Sequence, residues 1–263
     1  MKYFYDHYFK PQDVTPMNLV FTKEHLVLSS LIITIILMVV YAQRKKGDVR
    51  YSQKVLRILG TIMLALELFR ITWRVFYYGF NSSTLRFDWC NQVCMILPLI
   101  AIFRTEKLYP FIDVPALIGG TGVLIYPLWV FYDYAGIHTM AVQSMISHGL
   151  MVLISFTLPM ASKTYLRSTK NYSKTVIGLS IILSIAFVAS HLTGQNFLIM
   201  LSADGIPVLE KIAYPYYWLI AFPLILMVCY SVLFGLSIID RFNLKHFHHR
   251  KLKYAKRNCQ SHA

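Results

Sequence analysis

Long apolar stretches, separated by short polar segments, follow one another through most of the chain. A helix that crosses a bilayer needs roughly 17 to 25 predominantly apolar residues. Only the third stretch is shorter, and it begins among polar residues. The stretches are His25–Ala42, Val55–Gly79, Asp88–Phe103, Phe111–Tyr132, Thr139–Met160, Thr175–Thr193 and Tyr214–Ile239. This pattern predicts an all-α membrane protein, a bundle of seven transmembrane helices.

The composition supports a membrane protein. Of the 263 residues, 56% are hydrophobic and 14% are charged, and the mean hydropathy is +0.51. Soluble domains carry about a quarter charged residues, so these charges are too few to cover a soluble surface. The same figures exclude an intrinsically disordered chain and a secreted disulfide scaffold.

The basic residues predict the orientation of the bundle. The chain has 26 Lys and Arg against 12 Asp and Glu, a net charge of +14. Nineteen of the basic residues fall in the first, third and fifth loops and the C-terminal tail, with Arg57 at the start of the second stretch counted in the first loop, and five fall in the segments on the other side. Since basic residues collect on the cytoplasmic side, we expect the N-terminus outside and the C-terminus in the cytoplasm.

The chain divides into an extracellular N-terminal segment (1–24), a transmembrane domain (25–240) and a basic cytoplasmic tail (241–263). The first 24 residues lack the apolar core of a signal peptide. The tail fits an ordinary positive-inside anchor better than a segment that contacts anionic lipid or RNA. Of those two partners, anionic lipid is the expected one, and no nucleic acid is. Its histidines lack the spacing of a closed metal site. In the fourth stretch, the glycines of GGTG at 119–122 are expected to let neighbouring helices approach closely.

Three ionisable residues interrupt the second apolar stretch. Glu67, Arg70 and Arg74 are spaced so that they share one helix face. Charges within a span are costly and usually face the bundle interior. Two interpretations stay open: a structural ion pair, or an anion site in which the extra guanidinium binds the phosphate of a lipid.

A cysteine and a histidine are predicted at the depth of these charges. Counted along their helices, Cys94, His148 and Arg70 fall within about two turns of the same level, in the outer half of the membrane. A histidine that takes the thiol proton would make the cysteine a nucleophile. Alternatively, the cysteine is a small apolar core residue. Metal binding by Cys90, Cys94 and His148 is less favoured, because the CxxxC spacing lacks a second pair.

Four short motifs carry a resemblance to a known family. They are QVCMI at 92–96, ISHGL at 146–150, GQNF at 194–197 and YPYYW at 214–218. In order and spacing they resemble bacterial integral membrane proteins of the YwaF type, which are similar to the TMEM164 acyltransferases. The resemblance covers roughly residues 88–239.

This resemblance implies a seven-helix enzyme that transfers a fatty acyl chain between phospholipids, or to a lysophospholipid, without coenzyme A. Cys94 matches the position that carries the acyl chain as a thioester, His148 the assisting histidine, and Asn196 the asparagine of the G-x-N motif. Two positions depart from the pattern: Gln92 stands where a histidine is common, and Phe197 where a tyrosine is. No cofactor or metal is expected. The implied location is a bacterial plasma membrane.

The hypothesis is therefore an acyltransferase that acts on membrane phospholipid or lysophospholipid, with Cys94 as nucleophile and His148 as base. The other residues expected at the substrate are Glu67, Arg70, Arg74, Gln92, His191 and Asn196, with the two arginines as a phosphate clamp that Glu67 orients. Two alternatives stay open. Buried charges also suit a small-solute transporter, although no inverted repeat is evident. A sensor or scaffold would use the same polar cluster structurally.

Overall fold

The computed structural model of the protein describes residues 8–10, 21–81, 84–127, 137–202, 209 and 211–260. It describes the side chains in these ranges except those of residue 199 and of residues 241–260. The described residues form helices and turns but no strand. The all-α prediction is confirmed for this part of the chain.

Seven α-helices of 15 residues or more lie in the described ranges, and each coincides with one apolar stretch. They are α1 (Lys23–Lys46), α2 (Val49–Tyr78), α3 (Trp89–Phe103), α4 (Tyr109–Ile125), α5 (Thr139–Ala161), α6 (Tyr172–Thr193) and α7 (Trp218–Gln260). Short 3-10 helices precede α4 (Glu106–Leu108) and α6 (Thr169–Asn171), and another follows α6 (Phe197–Ile199).

Among the described residues, five helical segments are long and apolar enough to cross a membrane. They are α1, α4 and α6 with their preceding 3-10 turns, α5, and the first part of α7. The two other predicted spans differ for physical reasons. Helix α2 has 30 residues but carries charges in its second half. Helix α3 has only 15 residues, short of the roughly 20 that span a bilayer. Seven crossings, and the orientation of the termini, stay predictions.

Local sequence explains the connection between α1 and α2. Helix α1 continues past its predicted end to Lys46, where Gly47 adopts a left-handed φ of 60° and donates its N–H to the Gln43 carbonyl. Glycine takes this conformation at little cost, which makes it a common helix terminator. Asp48 then accepts the N–H of Arg50 at 2.9 Å and begins α2. The two helices are therefore joined by two residues.

Two other predicted boundaries differ from the structure. Helix α4 ends at Ile125, whereas its apolar stretch continues to Tyr132, and residues 128–136 lie outside the described part. Helix α7 begins at Trp218, after a turn over residues 214–217, and continues through residues 241–260. That segment contains no proline or glycine, so nothing in it terminates a helix.

Helix α5 lies at the centre of the bundle. Of its most apolar window 78% is buried, against 22% for α1 and α7, and it packs on α1, α2, α3 and α4. Glycines permit this packing: Gly149 contacts Ile32 of α1, and Gly120 of α4 contacts the backbone of α5. Gly119 packs near the Cys90 sulfur. The packing role predicted for the α4 glycines is thus confirmed for Gly119 and Gly120.

The end of the bundle where α2 ends and α3 begins, here the α2–α3 end, also holds the start of α5 and the end of α6. Part of the N-terminal segment packs on it. Trp73 Nε1 donates to the Phe9 carbonyl at 3.0 Å, and His138 Nε2 donates to the Lys10 carbonyl at 3.0 Å. The rings of Trp73 and His138 meet edge to face. Residues 8–10 of the N-terminal segment therefore lie at the same end as the described part of the α2–α3 loop.

Candidate functional site

A buried ion pair lies in the second half of α2. Arg70 donates from Nε to Glu67 Oε2 at 2.9 Å and from Nη2 to Oε1 at 2.6 Å. Glu67 is 3% exposed and Arg70 8%. This bidentate geometry is strong and directional, and it lowers the cost of placing both charges among apolar groups. Arg70 therefore has Glu67 as its immediate partner.

Cys94 lies on α3 and is buried. Its Sγ is 3.7 Å from Sδ of Met151 on α5. The Glu67 carboxylate and the Arg70 guanidinium both interact electrostatically with the thiol. Cys94 therefore sits where α2, α3 and α5 meet.

His148, on α5, presents a basic nitrogen inside the bundle. Its Nδ1 lies 2.7 Å from the carbonyl oxygen of Ser144. Because a carbonyl only accepts, Nδ1 carries a proton, so in the neutral form of the ring Nε2 is the unprotonated nitrogen. Nε2 is buried and has no hydrogen-bond partner among the described residues. An acceptor left in this state is costly and is available to a proton donor that enters the site.

Glu67 links these groups. It forms the ion pair with Arg70 and interacts electrostatically with both Cys94 and His148. Within the described part of the chain, no hydrogen bond joins Cys94 to His148, because the thiol contacts Met151, about one turn after His148 on α5. The groups expected at one depth do lie near one another. Their chemical roles stay predictions.

Gln92 ties the start of α3 to α6. Its Nε2 donates to the Phe87 carbonyl at 2.7 Å and to the Ile182 carbonyl at 2.9 Å. Its Oε1 is buried and lacks a hydrogen-bond partner among the residues described. The two N–H groups of this side chain therefore join α3 to α6, while its acceptor, two residues before Cys94 in the chain, is unused by the described residues.

A cavity of about 230 Å³ lies at the α2–α3 end. The residues that line it are Arg74, Arg86, Gln195, Asn196 and Phe197. The described lining thus holds two guanidinium groups and two carboxamides, and no carboxylate. Guanidinium groups match the geometry and charge of phosphate and carboxylate ligands, so this cavity suits an anion.

Asn196 shapes the loop beside this cavity. Its Nδ2 donates to the carbonyl of Ser202 at 2.9 Å and to its Oγ at 2.8 Å, and its Oδ1 accepts the Leu201 N–H at 2.9 Å. The Phe197 N–H donates to Ser190 Oγ at 3.0 Å. Both ends of the Asn196 carboxamide are therefore used to hold the loop after α6.

His191 lies apart from the other expected site residues. It is exposed, and its Nδ1 donates to the carbonyl of Phe187, one turn earlier, at 2.9 Å. Its ring packs 4.2 Å from the Phe187 ring, between centroids. The structure therefore does not bring His191 into the cluster of Glu67, Cys94 and His148.

Sequence reasoning missed Asp88 and Arg86 as parts of this region. Asp88 Oδ2 accepts from Arg86 Nε at 2.7 Å, and Oδ1 accepts the Leu198 N–H at 3.3 Å. Asp88 occupies the N-cap position of α3, yet its carboxylate does not cap that helix. It joins the cation to the loop after α6 instead. An acidic residue two positions after an arginine, at the start of an apolar stretch, was the available signal.

A second buried charge cluster, also missed, joins the first half of α4, the segment before α6, and α7. Arg167 donates from Nε to Asp113 Oδ2 at 2.7 Å and from Nη2 to Oδ1 at 3.0 Å. Tyr165 donates to Asp113 Oδ2 at 2.7 Å, and Asp240 lies 3.8 Å from Arg167. Burial alone would lower the pKa of Arg167, but the Asp113 carboxylate raises it. The signal was Asp113, an acidic residue inside an apolar stretch.

Among the described residues, no group of three or more His, Cys, Asp and Glu side chains is placed to hold a metal ion. Cys90 lies on α3 one turn before Cys94 and is a free thiol. The histidine side chains of the tail lie outside the described part. The metal-free site in the hypothesis stays a prediction.

The fold and this cluster define a helical, multi-span membrane protein with a buried cysteine, a neutral histidine and an ion pair in one place. The chain belongs to the TMEM164 family: the model of that family matches residues 20–234. The match begins before α1 and ends within α7, so it includes every residue of the cluster. Comparison with curated proteins gave no significant match, and neither did comparison with solved structures.

Proposed function

We propose that this protein is an acyltransferase of the bacterial plasma membrane, which moves a fatty acyl chain from a phospholipid to a lysolipid through a thioester on Cys94. The observation that carries the proposal is the buried Nε2 of His148, which has no hydrogen-bond partner among the described residues and lies in the same polar cluster as the Cys94 thiol. Membership of the TMEM164 family supports it. With seven crossings and the N-terminus outside, this cluster lies in the outer half of the membrane.

The first half of the reaction forms the thioester. His148 Nε2 takes the proton of the Cys94 thiol, and the sulfur attacks the ester carbonyl carbon of the donor phospholipid. The carbon–sulfur bond forms, the carbon–oxygen ester bond breaks, and His148 returns the proton to the departing glycerol oxygen. The products are a lysophospholipid and S-acyl Cys94.

The second half regenerates the protein. The hydroxyl of the acceptor lysolipid gives its proton to His148 Nε2, and its oxygen attacks the thioester carbonyl. The carbon–oxygen bond forms as the carbon–sulfur bond breaks, and the thiolate recovers the proton from His148. Since one ester is exchanged for another, the reaction requires neither coenzyme A nor an external energy source.

The ion pair has a part in this scheme. Burial and the Glu67 carboxylate both disfavour a thiolate at Cys94, and the positive charge of Arg70 offsets part of that cost. Glu67 holds the Arg70 guanidinium in place by two hydrogen bonds. The thiol contacts Met151 in this structure, so proton transfer requires a rotation of the Cys94 side chain or one bridging water. Catalytic hydrogen bonds are often unformed until substrate binds.

Trapping the acyl intermediate tests the proposal. The purified full-length protein is incubated with a phospholipid that carries a labelled acyl chain, and intact-protein mass spectrometry measures any adduct before and after hydroxylamine. We expect a hydroxylamine-sensitive adduct on the parent protein. It should be absent from Cys94→Ala and reduced at least tenfold in His148→Ala, since general-base assistance contributes about 10²–10⁴-fold.

Matched controls come from the same chain. Cys229→Ala removes a buried cysteine of α7, and His191→Ala removes an exposed histidine of α6. Both should retain the full adduct. An adduct that survives in Cys94→Ala, or that disappears equally in Cys229→Ala, would contradict the proposal, as would a well-folded parent protein that forms none with several classes of phospholipid.

A further inference from the structure

The geometry points to the cavity at the α2–α3 end as the binding site for the phosphate of the lipid substrate, with Arg74 and Arg86 as its two cations. This inference rests on the proposed function and names a contact that the sequence did not predict, that of Arg86. It assigns Arg70 a different task from Arg74, although both lie on the same face of α2.

The two arginines of α2 differ in their surroundings. Arg70 forms both hydrogen bonds of a bidentate pair with Glu67, and both partners are buried. Arg74 lies one turn closer to the helix end and lines the cavity with Arg86. The described lining of the cavity holds two guanidinium groups, and the Asp88 carboxylate pairs with one of them, that of Arg86, through its Nε. A phosphate group matches the two guanidinium groups, because it is anionic and accepts several hydrogen bonds. The Asn196 carboxamide is used within its own loop.

The depth of the cavity relative to Cys94 fits a glycerophospholipid. Arg70, which interacts electrostatically with Cys94, lies four residues, or about 6 Å, further from the end of α2 than Arg74. Along α3, Cys94 follows Asp88, the partner of Arg86, by about 9 Å. In a glycerophospholipid the acyl esters lie deeper in the membrane than the phosphate. A phosphate held in the cavity therefore leaves an ester group to reach the level of the thiol.

The surroundings favour a lipid headgroup over a soluble phosphate. Phe76 and Phe80 follow Arg74 in the chain, at the end of α2 and just beyond it, and these residues are 75% and 77% exposed. Exposed aromatic side chains at the end of a membrane helix are typical of the bilayer–water interface. The cavity therefore lies at the depth where phospholipid headgroups are found.

Asp88 is the positioning residue of this site. One carboxylate oxygen holds Arg86, and the other holds the backbone of Leu198 in the loop that supplies Gln195 and Asn196. Leu198 adopts a left-handed φ of 52°, a conformation that costs energy in a residue with a branched side chain. The hydrogen bond that Asp88 accepts from the Leu198 N–H thus helps to fix both halves of the cavity wall.

A binding measurement tests the site without the chemistry. The Cys94→Ala protein, reconstituted in a neutral detergent, is titrated with lysophosphatidylglycerol and with a monoacylglycerol of the same chain length. We expect the lysophospholipid to bind at least tenfold more tightly, and increasing ionic strength to weaken only that ligand. Arg74→Gln and Arg86→Gln should each weaken it about tenfold, as expected for loss of a charge-assisted hydrogen bond. Arg57→Gln, an exposed arginine at the other end of α2, should not.

Each other outcome overturns the inference. Equal affinity for the two lipids, or an unchanged affinity in Arg86→Gln, would show that this cavity does not bind the phosphate. Inorganic phosphate that displaces the lysophospholipid in the Cys94→Ala protein, and loses that ability in Arg86→Gln, would make this a site for soluble phosphate. If Arg86→Gln does not fold, the Arg74→Gln variant and the effect of ionic strength on lysophospholipid binding to the Cys94→Ala protein still test the inference. Because Cys94 is absent, a failure to form a thioester leaves this result unaffected, so the two proposals fail separately.

Discussion

Gly120 of α4 packs directly on the backbone of His148 in α5. A Cβ atom added to Gly120 would lie 2.6 Å from the His148 carbonyl oxygen and 2.8 Å from a methyl carbon of Val152. Real Cβ atoms do not approach a backbone oxygen so closely, so a side chain here requires the two helices to separate. The position of the histidine ring is therefore coupled to a residue that carries no functional group.

We expect Gly120→Ala to destabilise the protein by about 1–3 kcal/mol, the cost of overpacking a close helix contact. Since the shift acts on the backbone of His148, the yield of thioester should also fall. Thermal unfolding in detergent and adduct formation measure the two effects.

Gly122→Ala is the matched control for that substitution. It lies on the same helix, and a Cβ there meets nothing within 4 Å among the described residues. Alanine is favoured over glycine in a helix interior by roughly 0.5–1 kcal/mol, so this variant should be as stable as the parent or slightly more so. Equal thermal midpoints for the two variants would contradict the close contact at Gly120.

Gln92→His should lower stability without increasing catalysis. The carboxamide donates two N–H groups to the Phe87 and Ile182 carbonyls, whereas a neutral imidazole has one donor. One buried carbonyl therefore loses its partner, at a cost of about 1–3 kcal/mol. Thermal unfolding and the rate of adduct formation provide the test. A histidine here that accelerates thioester formation above the parent rate would place the catalytic base at residue 92 rather than at His148.

Asp113→Asn should be among the most damaging single changes outside the candidate site. It leaves the charge of Arg167 buried without its bidentate partner, and breaking a buried ion pair in this way costs about 3–5 kcal/mol. The thermal midpoint should fall accordingly. The double variant Asp113→Leu with Arg167→Met removes both charges and should recover most of the loss. A single variant as stable as the parent would show that the pair contributes little.

Labelling of single cysteines tests the orientation of the bundle. In a chain whose native cysteines are replaced by alanine, cysteines are introduced at two exposed positions, Phe80 at the α2–α3 end and Lys46 between α1 and α2. We expect a membrane-impermeant maleimide to label the first in intact cells and the second only after permeabilisation, because basic loops stay in the cytoplasm. The reverse result would place the candidate site in the inner half of the membrane.

The positions of the helices followed from the sequence with few errors. Apolar runs the length of a bilayer crossing form helices because their backbone groups must be satisfied within the segment. Helix ends were less predictable. The end of α1 depends on Gly47 and Asp48 rather than on hydropathy, and α7 continues into basic residues because nothing there breaks a helix. The charged residues of α2 set it apart from the other helices. They also lower its hydropathy, which makes it harder to recognise as a transmembrane segment.

The candidate site was predictable in part. Cys94, His148, Glu67 and Arg70 were found by the rarity of such groups in apolar stretches, and they lie close together. His191 is also a rare polar residue in an apolar stretch, but its side chain faces outwards, next to the buried Ser190. Which side of a helix faces the interior depends on what packs against it, and α6 has little difference in polarity between its faces. The role of Arg86 was hidden because it occurs in a loop.

The sequence by itself determined that this is a membrane protein, where its helices lie and which rare polar groups its interior must accommodate, because each of these depends on composition within one segment. Only the tertiary structure decided how those groups are partnered. Asp113 pairs with Arg167, 54 positions away, and Asp88 joins Arg86 to a loop 110 positions away. Arg70 and Arg74, alike in sequence, differ because one faces Glu67 and the other faces a cavity. The physical reason is that the cost of a buried charge is met by whichever group the packing of distant helices places beside it.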